Sequence, residues 1–426
     1  MGNFSRSTSE MISLLRYKVL DPRLHKVLFV AENITDDKGR KFLIQALKDK
    51  IKNKSNCSFF SPYHISGVIP NVEEWISKGL PTEMAGSWSK NIAPEEVSIF
   101  EKPCSINEEI SKIPTEFIEM YKHPKIYLCL LKNARILAED GVIASSDGKV
   151  FKNFTFEFGK PITEHRIFRT YLKKSQYKNG KFASIVSPGS SNYFHWIFES
   201  LPRLKLLSDV IEEIDYLFVP ANLKKFQIES LNHLGISEEK LIEVNNNTHI
   251  ICENLFVSSI GNSGKMPKWA CTFLRDAFLP KIKSKPFRLI YISRKDARYR
   301  RVINEEEVET FLQRAGFEII EMSKLSFFEQ IKVCSEAKIV VGPHGAGFSN
   351  IVFCQKAKVL EIFAPSYINA CYWMLSNQVG NQYFYMLGEE HPGHSSPVWR
   401  DFLIDIPKLK KVLEHIIDLP NFSENQ

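Results

Sequence analysis

The sequence predicts an α/β protein built from two successive halves that face a cleft. Three observations carry that reading. Short apolar runs alternate with amphipathic stretches over most of the chain, and this rhythm stops at a glycine-rich stretch near residue 261 and then resumes. An apolar run ending at Val341 also feeds a small-residue loop that opens into a helix. With 426 residues, 44% hydrophobic and 25% charged, the chain has the length for two cores of roughly 150 to 250 residues and the composition of folded proteins, not of disordered or membrane-spanning ones.

Taken in order, Lys26 to Ala31 reads as a strand and Lys41 to Ile51 as a helix. Residues 55 to 120 are interrupted by prolines at 62, 70, 81, 94, 103 and 114, so an irregular or inserted segment is expected there. Tyr127 to Leu131, Ala134 to Leu137, Gly141 to Ala144 and Phe154 to Phe158 read as the strands of a β-meander. A turn-rich loop from Ser187 to Asn192 leads into a helix over Phe194 to Leu204, followed by βα elements at Tyr216 to Val219, Lys224 to Leu234 and Leu241 to Val244 and a strand near Leu255 to Ser258. Gly261 to Pro267 is the expected boundary, giving an N-terminal domain over 1–265, a second over 266–405 and a final helical segment over 406–426.

In the second half a helix opens at Lys268. Strands are expected at Arg288 to Ile292, Phe317 to Glu321, Lys338 to Val341 and Lys358 to Phe363, with helices at Glu305 to Ala315 and Ser326 to Ser335 between them. The last helix, Lys408 to Leu419, is amphipathic and basic at its start; packing back on the first domain is expected, with contact to a membrane surface as the alternative.

The formal net charge of +7 is spread along the chain, with no arginine-rich arm interleaved with aromatics, so no nucleic-acid partner is expected. An anionic small-molecule substrate or an anionic membrane surface fits as well. Residues 1 to 20 carry Arg6, Arg16 and Lys18 without an apolar core, and nowhere do about 18 apolar residues run together, so a cytoplasmic protein, soluble or peripheral to the inner membrane face, is expected. Eight scattered cysteines with no C-x-x-C spacing imply reduced thiols and no metal cluster. Oligomeric state is not legible.

Two constellations carry chemistry. The first is Gly342-Pro343-His344-Gly345-Ala346-Gly347-Phe348-Ser349-Asn350, where Gly345 and Gly347 let a ligand approach the backbone and the following helix offers free N–H groups to an anion. The alternative is a tight turn that only packs helix on strand. Ahead of it, Ser293-Arg294-Lys295-Asp296-Ala297-Arg298-Tyr299-Arg300-Arg301 follows a strand end, where ligands bind in open α/β sheets. Arg294 or Lys295 lies nearest that end, with Arg298 next in line, while Arg300 and Arg301 read as surface charges. The second constellation is His195 and Glu199, four apart on one helix face, a spacing suited to a general base whose ring is oriented by a carboxylate, with Glu199 itself as the other candidate base. Glu361, at a strand end, reads either as a ribose contact or as a cap to the next helix. Asp401 and Asp405 are too far apart for a metal triplet, so no essential divalent ion and no other cofactor is expected. No G-x-G-x-x-G follows an early strand, which argues against a dehydrogenase.

Together Asn192-Tyr193-Phe194-His195-Trp196 through Pro202-Arg203, Tyr291-Ile292-Ser293-Arg294, the Gly342 to Gly347 loop and Leu360-Glu361-Ile362 resemble glycosyltransferase family 61, in order and spacing, from about residue 125 to 365. The resemblance implies a GT-B fold of two Rossmann-like domains and inverting transfer from a nucleotide diphosphate sugar, commonly UDP-xylose or UDP-N-acetylglucosamine. It implies that Arg294 and the His344 to Asn350 loop hold the donor phosphates, and that His195 and Glu199 sit across the cleft with Asn192, Tyr193 and Arg203 toward a glycan or lipid-linked glycan acceptor of cell-surface polysaccharide synthesis. Phe348 stands where leucine is usual in the family. A non-catalytic nucleotide-sugar-binding or scaffold subunit is the rival reading.

Overall fold

The computed structural model describes residues 65–93, 95–104, 117–170, 172–259, 263–279, 285–391 and 396–417. The strand expected at Lys26 to Ala31 and the helix at Lys41 to Ile51 lie outside them, as do Gly261 and Asn262 of the expected boundary.

The first half is a nine-stranded mixed sheet. Its strands are β1 (Gly67–Ile69), β2 (Trp88–Ala93) and, after a separate two-stranded hairpin of β3 (Glu96–Ile99) and β4 (Met120–His123), β5 (Ile126–Leu137), β6 (Val142–Ala144), β7 (Lys149–Phe151), β8 (Gln176–Ser184), β9 (Tyr216–Pro220), β10 (Leu241–Val244) and β11 (His249–Ser258). Their order is β1-β7-β6-β5-β11-β8-β9-β10, with β2 also on β5. The expected meander is therefore different in detail. Asn133, at φ 50°, absorbs a kink within one long strand, so the two runs at 127–131 and 134–137 are both parts of β5. The last meander strand is Lys149–Phe151, not Phe154 to Phe158. Residues 65–104, expected to be irregular or inserted, are short pieces, yet β1 and β2 join the sheet.

The second half is a five-stranded, all-parallel sheet of β12 (Arg288–Ile292), β13 (Glu318–Ile320), β14 (Ala337–Pro343), β15 (Lys358–Phe363) and β16 (Gln382–Leu387), in the order β13-β12-β14-β15-β16. This is doubly wound connectivity, and the near-continuous apolar runs follow from it: a parallel sheet is covered on both faces. Alternate residues divide between two clusters. Ile290, Ile292, Val340, Val359 and Phe363 pack with Leu128, Leu217, Val219 and Phe256 of the first sheet, whereas Tyr291, Ile339, Val341, Leu360 and Ile362 pack on the opposite side. One apolar cluster thus runs from sheet to sheet.

Two doubly wound halves were expected; only the second is a plain one, because in the first the parallel strands β11-β8-β9-β10 are extended by antiparallel pairing through β5. The final helix, Ile406–Ile416, is capped by the Asp405 side chain and buries Leu409, Val412, Leu413 and Ile416 in the outer cluster of the parallel sheet. It covers the half it follows, where packing back on the first had been expected.

Candidate active site

The strand order of the second sheet reverses between β12 and β14, and in such sheets the crevice beyond the carboxyl ends at that point is where ligands bind. A cavity of about 470 Å³ opens there. Ser293 and Arg294 line it from the end of β12, and Pro343, Gly345, Ala346, Gly347 and Phe348 from the end of β14; Lys224, Phe226, Glu229 and Tyr193 close it from the first half. Ala346–Phe353 is a 3-10 helix, tighter than the α-helix expected, and its first N–H groups have no partner within the helix. Gly345 matters for space and not for backbone angle: a Cβ there would lie 1.7 Å from Arg294 Nη1, so the guanidinium would have to move aside. The guanidinium is packed directly against the loop.

Arg294 donates from Nη2 to the Tyr299 carbonyl at 3.0 Å, while its buried Nε has no partner among the described residues. Burial depresses its pKa first, and nearby Arg300 adds to the effect. Arg300, read from the sequence as a surface charge, is turned inward: at φ 53° it lays its guanidinium 4.2 Å over the Tyr367 ring, donates from Nη1 to the Val398 carbonyl at 3.1 Å and leaves its buried Nε unpartnered. Its pKa is also lowered, chiefly by burial. Among the described residues neither arginine has a carboxylate ion pair. Two neighbouring half-buried cations without a counter-charge favour an anionic ligand. Lys295 does not share in this: it is exposed and bound to Glu309 at 2.6 Å. Arg298 is exposed as well and does not line the cavity, and Arg301 pairs with Asp401 at 2.9 Å.

His344 follows β14 directly. Its Nδ1 donates to Glu361 Oε1 at 2.5 Å, and Tyr383 donates its hydroxyl to Glu361 Oε2 at 2.5 Å. Phe363, Tyr367 and Tyr372 enclose the ring, with centroids at 5.5, 5.4 and 5.2 Å. Glu361 is fully buried in the middle of the sheet and is not among the residues lining the cavity; its carboxylate fixes the histidine. Phe348 is fully buried and walls the cavity; Ser349 and Asn350 lie beneath, Ser349 Oγ against Tyr372 Oη at 3.4 Å.

On the facing side, Tyr193–His195 forms a single helical turn, capped by Asn192, whose side chain accepts from Phe194 N. The chain then widens into a π-turn over Trp196–Ser200 before Leu201–Leu206 resumes as α-helix. Across that widened turn His195 Nδ1 donates to Glu199 Oε1 at 2.9 Å. Ser263 donates to the same oxygen, and Ser187 Oγ lies 3.5 Å from Glu199 Oε2. Gly189, at φ 76°, backs the imidazole so closely that a Cβ would meet His195 Cδ2 at 2.8 Å. Phe158, 49% exposed, lies over the ring at 4.9 Å.

The three residues assigned to the acceptor side divide differently. Asn192 is a helix cap. Arg203 is 2% exposed and spends its donors on the Glu199 and Ser258 carbonyls; burial pushes its pKa down to about 10 against the opposing pull of Glu199. It braces the π-turn from behind. Tyr193 faces the cavity of the second half. The two histidine sites are linked by Tyr372, which touches His344 at 5.2 Å and Phe194, the neighbour of His195, at 5.8 Å. Sequence reasoning missed Arg300, Tyr367, Tyr372 and Tyr383; for Arg300 the only signal was its place within eight residues of a strand end.

Among the described residues no group of three or more His, Cys, Asp and Glu side chains could hold a metal ion, and no helix is long and apolar enough to cross a membrane. A parallel sheet with a cation-lined cavity at its switch point is the doubly wound α/β arrangement in which ligands bind at the carboxyl ends of the strands. Residues 193–360 match the family model described as Glycosyltransferase 61, and in that segment the chain is similar to glycosyltransferase family 61. The matched segment contains His195, Glu199, Arg294, Arg300 and His344 and ends one residue before Glu361. No curated protein matches the chain.

Proposed function

We propose that this protein is an inverting, metal-independent glycosyltransferase of GT-B type, divided near residue 265, that moves a sugar from a nucleotide diphosphate donor to a hydroxyl of a glycan acceptor in cell-surface polysaccharide synthesis on the cytoplasmic side. UDP-xylose or UDP-N-acetylglucosamine is the favoured donor, from the family resemblance. The observation that carries the reading is the pair of half-buried arginines, Arg294 and Arg300, lacking carboxylates beside His344 and the start of the Ala346–Phe353 helix. They supply positive charge where a leaving diphosphate needs it, the task a divalent ion performs elsewhere.

In the reaction, an acceptor hydroxyl oxygen bonds to the anomeric carbon as the carbon–oxygen bond to the β-phosphate breaks. The hydroxyl proton passes to Nε2 of His195, whose Nδ1–H is held by Glu199. The electron pair of the broken bond leaves with the diphosphate and is stabilised by the two arginines, His344 and the loop amides.

The test is turnover of a panel of UDP, GDP, TDP and CMP sugars, with and without EDTA. Hydrolysis or transfer of a UDP-sugar that survives EDTA is expected, and His195→Ala should lower its rate by about 10²–10⁴-fold. No turnover of any donor, or full activity in His195→Ala, would overturn the mechanism.

A further inference from the structure

A chain of buried hydrogen bonds joins the donor cavity to the turn that carries His195. Tyr193 donates its hydroxyl to Asn350 Oδ1 at 2.6 Å, across 157 residues of sequence. Asn350 Nδ2 in turn donates to Gln330 Oε1 at 2.9 Å and to the Gly347 carbonyl at 3.2 Å, and Gln330 Nε2 donates to the Leu325 carbonyl at 3.2 Å. Asn350 is fully buried and Gln330 nearly so. Tyr193, Leu325, Gln330 and Gly347 all line the 470 Å³ cavity, so this chain is exposed to an occupant at four points. The other end is short and stiff: Tyr193 lies two residues before His195 in the same capped turn, and Trp196 N donates back to the Asn192 carbonyl at 2.9 Å. Phe226, on the same first-half wall, holds the Tyr193 ring edge-on at 5.0 Å. Burial also keeps the phenol protonated, so it remains a donor over the working pH range.

We propose that Tyr193 is a positioning residue that couples occupancy of the donor cavity to the placement of the general base, His195. The inference rests on the donor and base assignments above. A nucleoside seated against Leu325, Gln330 and Gly347 fixes Asn350, Asn350 fixes the phenol, and the phenol fixes the turn on which His195 stands. The base is thereby aligned for the acceptor when the donor is present, and misplacement of such a group by a fraction of an ångström is enough to slow the chemical step.

Tyr193→Phe keeps the ring and its packing and removes only the hydroxyl. The experiment is a double-mutant cycle on the full chain with Tyr193→Phe and His195→Ala, reading kcat for transfer, UDP affinity by titration and the unfolding midpoint. Tyr193→Phe is expected to lower kcat on the order of ten-fold, to leave the UDP dissociation constant within about two-fold, and to have no further effect in the His195→Ala background, because a residue that acts through the base has nothing left to act on. Gln330→Met, which breaks the chain one link further along, should give the same kcat loss, and stands in if Tyr193→Phe fails to fold. Wild-type kcat in both variants, or a loss that multiplies unchanged in the His195→Ala background, would overturn the coupling while leaving the glycosyltransferase reading intact. A wild-type protein inert toward every donor would instead remove that reading, and this inference with it.

Discussion

Each half of the molecule carries a histidine hydrogen-bonded through Nδ1 to a glutamate, and the two pairs sit in opposite settings. The His195 and Glu199 side chains are 21% and 5% exposed, on a π-turn, with serine hydroxyls around the carboxylate and Phe158 at an open rim. His344 and Glu361 are 9% and 0% exposed, anchored in the middle of a parallel sheet, with Tyr383 on the second carboxylate oxygen and aromatic rings around the imidazole. The pair alone does not define the role. Hydroxyl rotors and an open side suit a base that must take up and release a proton, whereas a carboxylate with both oxygens bound by fixed donors suits a ring that must only hold still and face a charge.

The sharpest way to break that comparison is to neutralise each carboxylate. Glu199→Gln should reduce kcat about 10²-fold with little change in stability, since Ser187 and Ser263 can turn to accept from the new amide. Glu361→Gln should do the reverse and lower the unfolding free energy by about 1–3 kcal/mol, because one of two fixed donors, His344 Nδ1–H or the Tyr383 hydroxyl, would then face an N–H group. Equal effects on rate and stability in the two variants would dissolve the distinction. Next in size, Arg294→Ala and Arg300→Ala should each weaken UDP binding about ten- to a hundred-fold, corresponding to roughly 1.5–3 kcal/mol for a charge-assisted contact, while Lys295→Ala stays near wild type in the same titration.

The smallest effect is expected from acid. His123, His165 and His249, all in the first half, have pKa values lowered by burial as the leading cause, so the fold holds them neutral. The unfolded chain binds their protons near pH 6.5 and the folded chain only below that, so stability is retained above about pH 6.5 and declines as pH falls through and below it. An unfolding midpoint measured from pH 8 to 5 should drop on the acid side, and His123→Gln should flatten the drop; a midpoint that rises toward pH 5 would contradict the assignment.

How far the sequence disclosed all this depended on distance along the chain. The strands Arg288–Ile292, Leu241–Val244 and Lys358–Phe363 coincide with their apolar runs, because each is a local pattern flanked by its own turn residues. The pairing of β11 between β5 and β8 is set by partners tens to more than a hundred residues away, and periodicity holds no record of it. The same limit acts on the site. His195 and Glu199 lie within one turn and were legible, and the Gly345 loop announced itself by composition. The inward course of Arg300 depends on one residue with positive φ and on Tyr367, and the outward course of Lys295 on Glu309, none of which a run of cations reveals. That Tyr193 bonds across the cavity to Asn350 was not legible, because the two residues lie 157 positions apart.

The contact between Gly345 and Arg294 has a consequence for descent. A side chain at 345 would enter the place of the guanidinium, so any residue there but glycine requires Arg294 to move, and the two positions constrain each other. Co-variation of these two positions, more than invariance at either, would be the trace left by a contact of this kind.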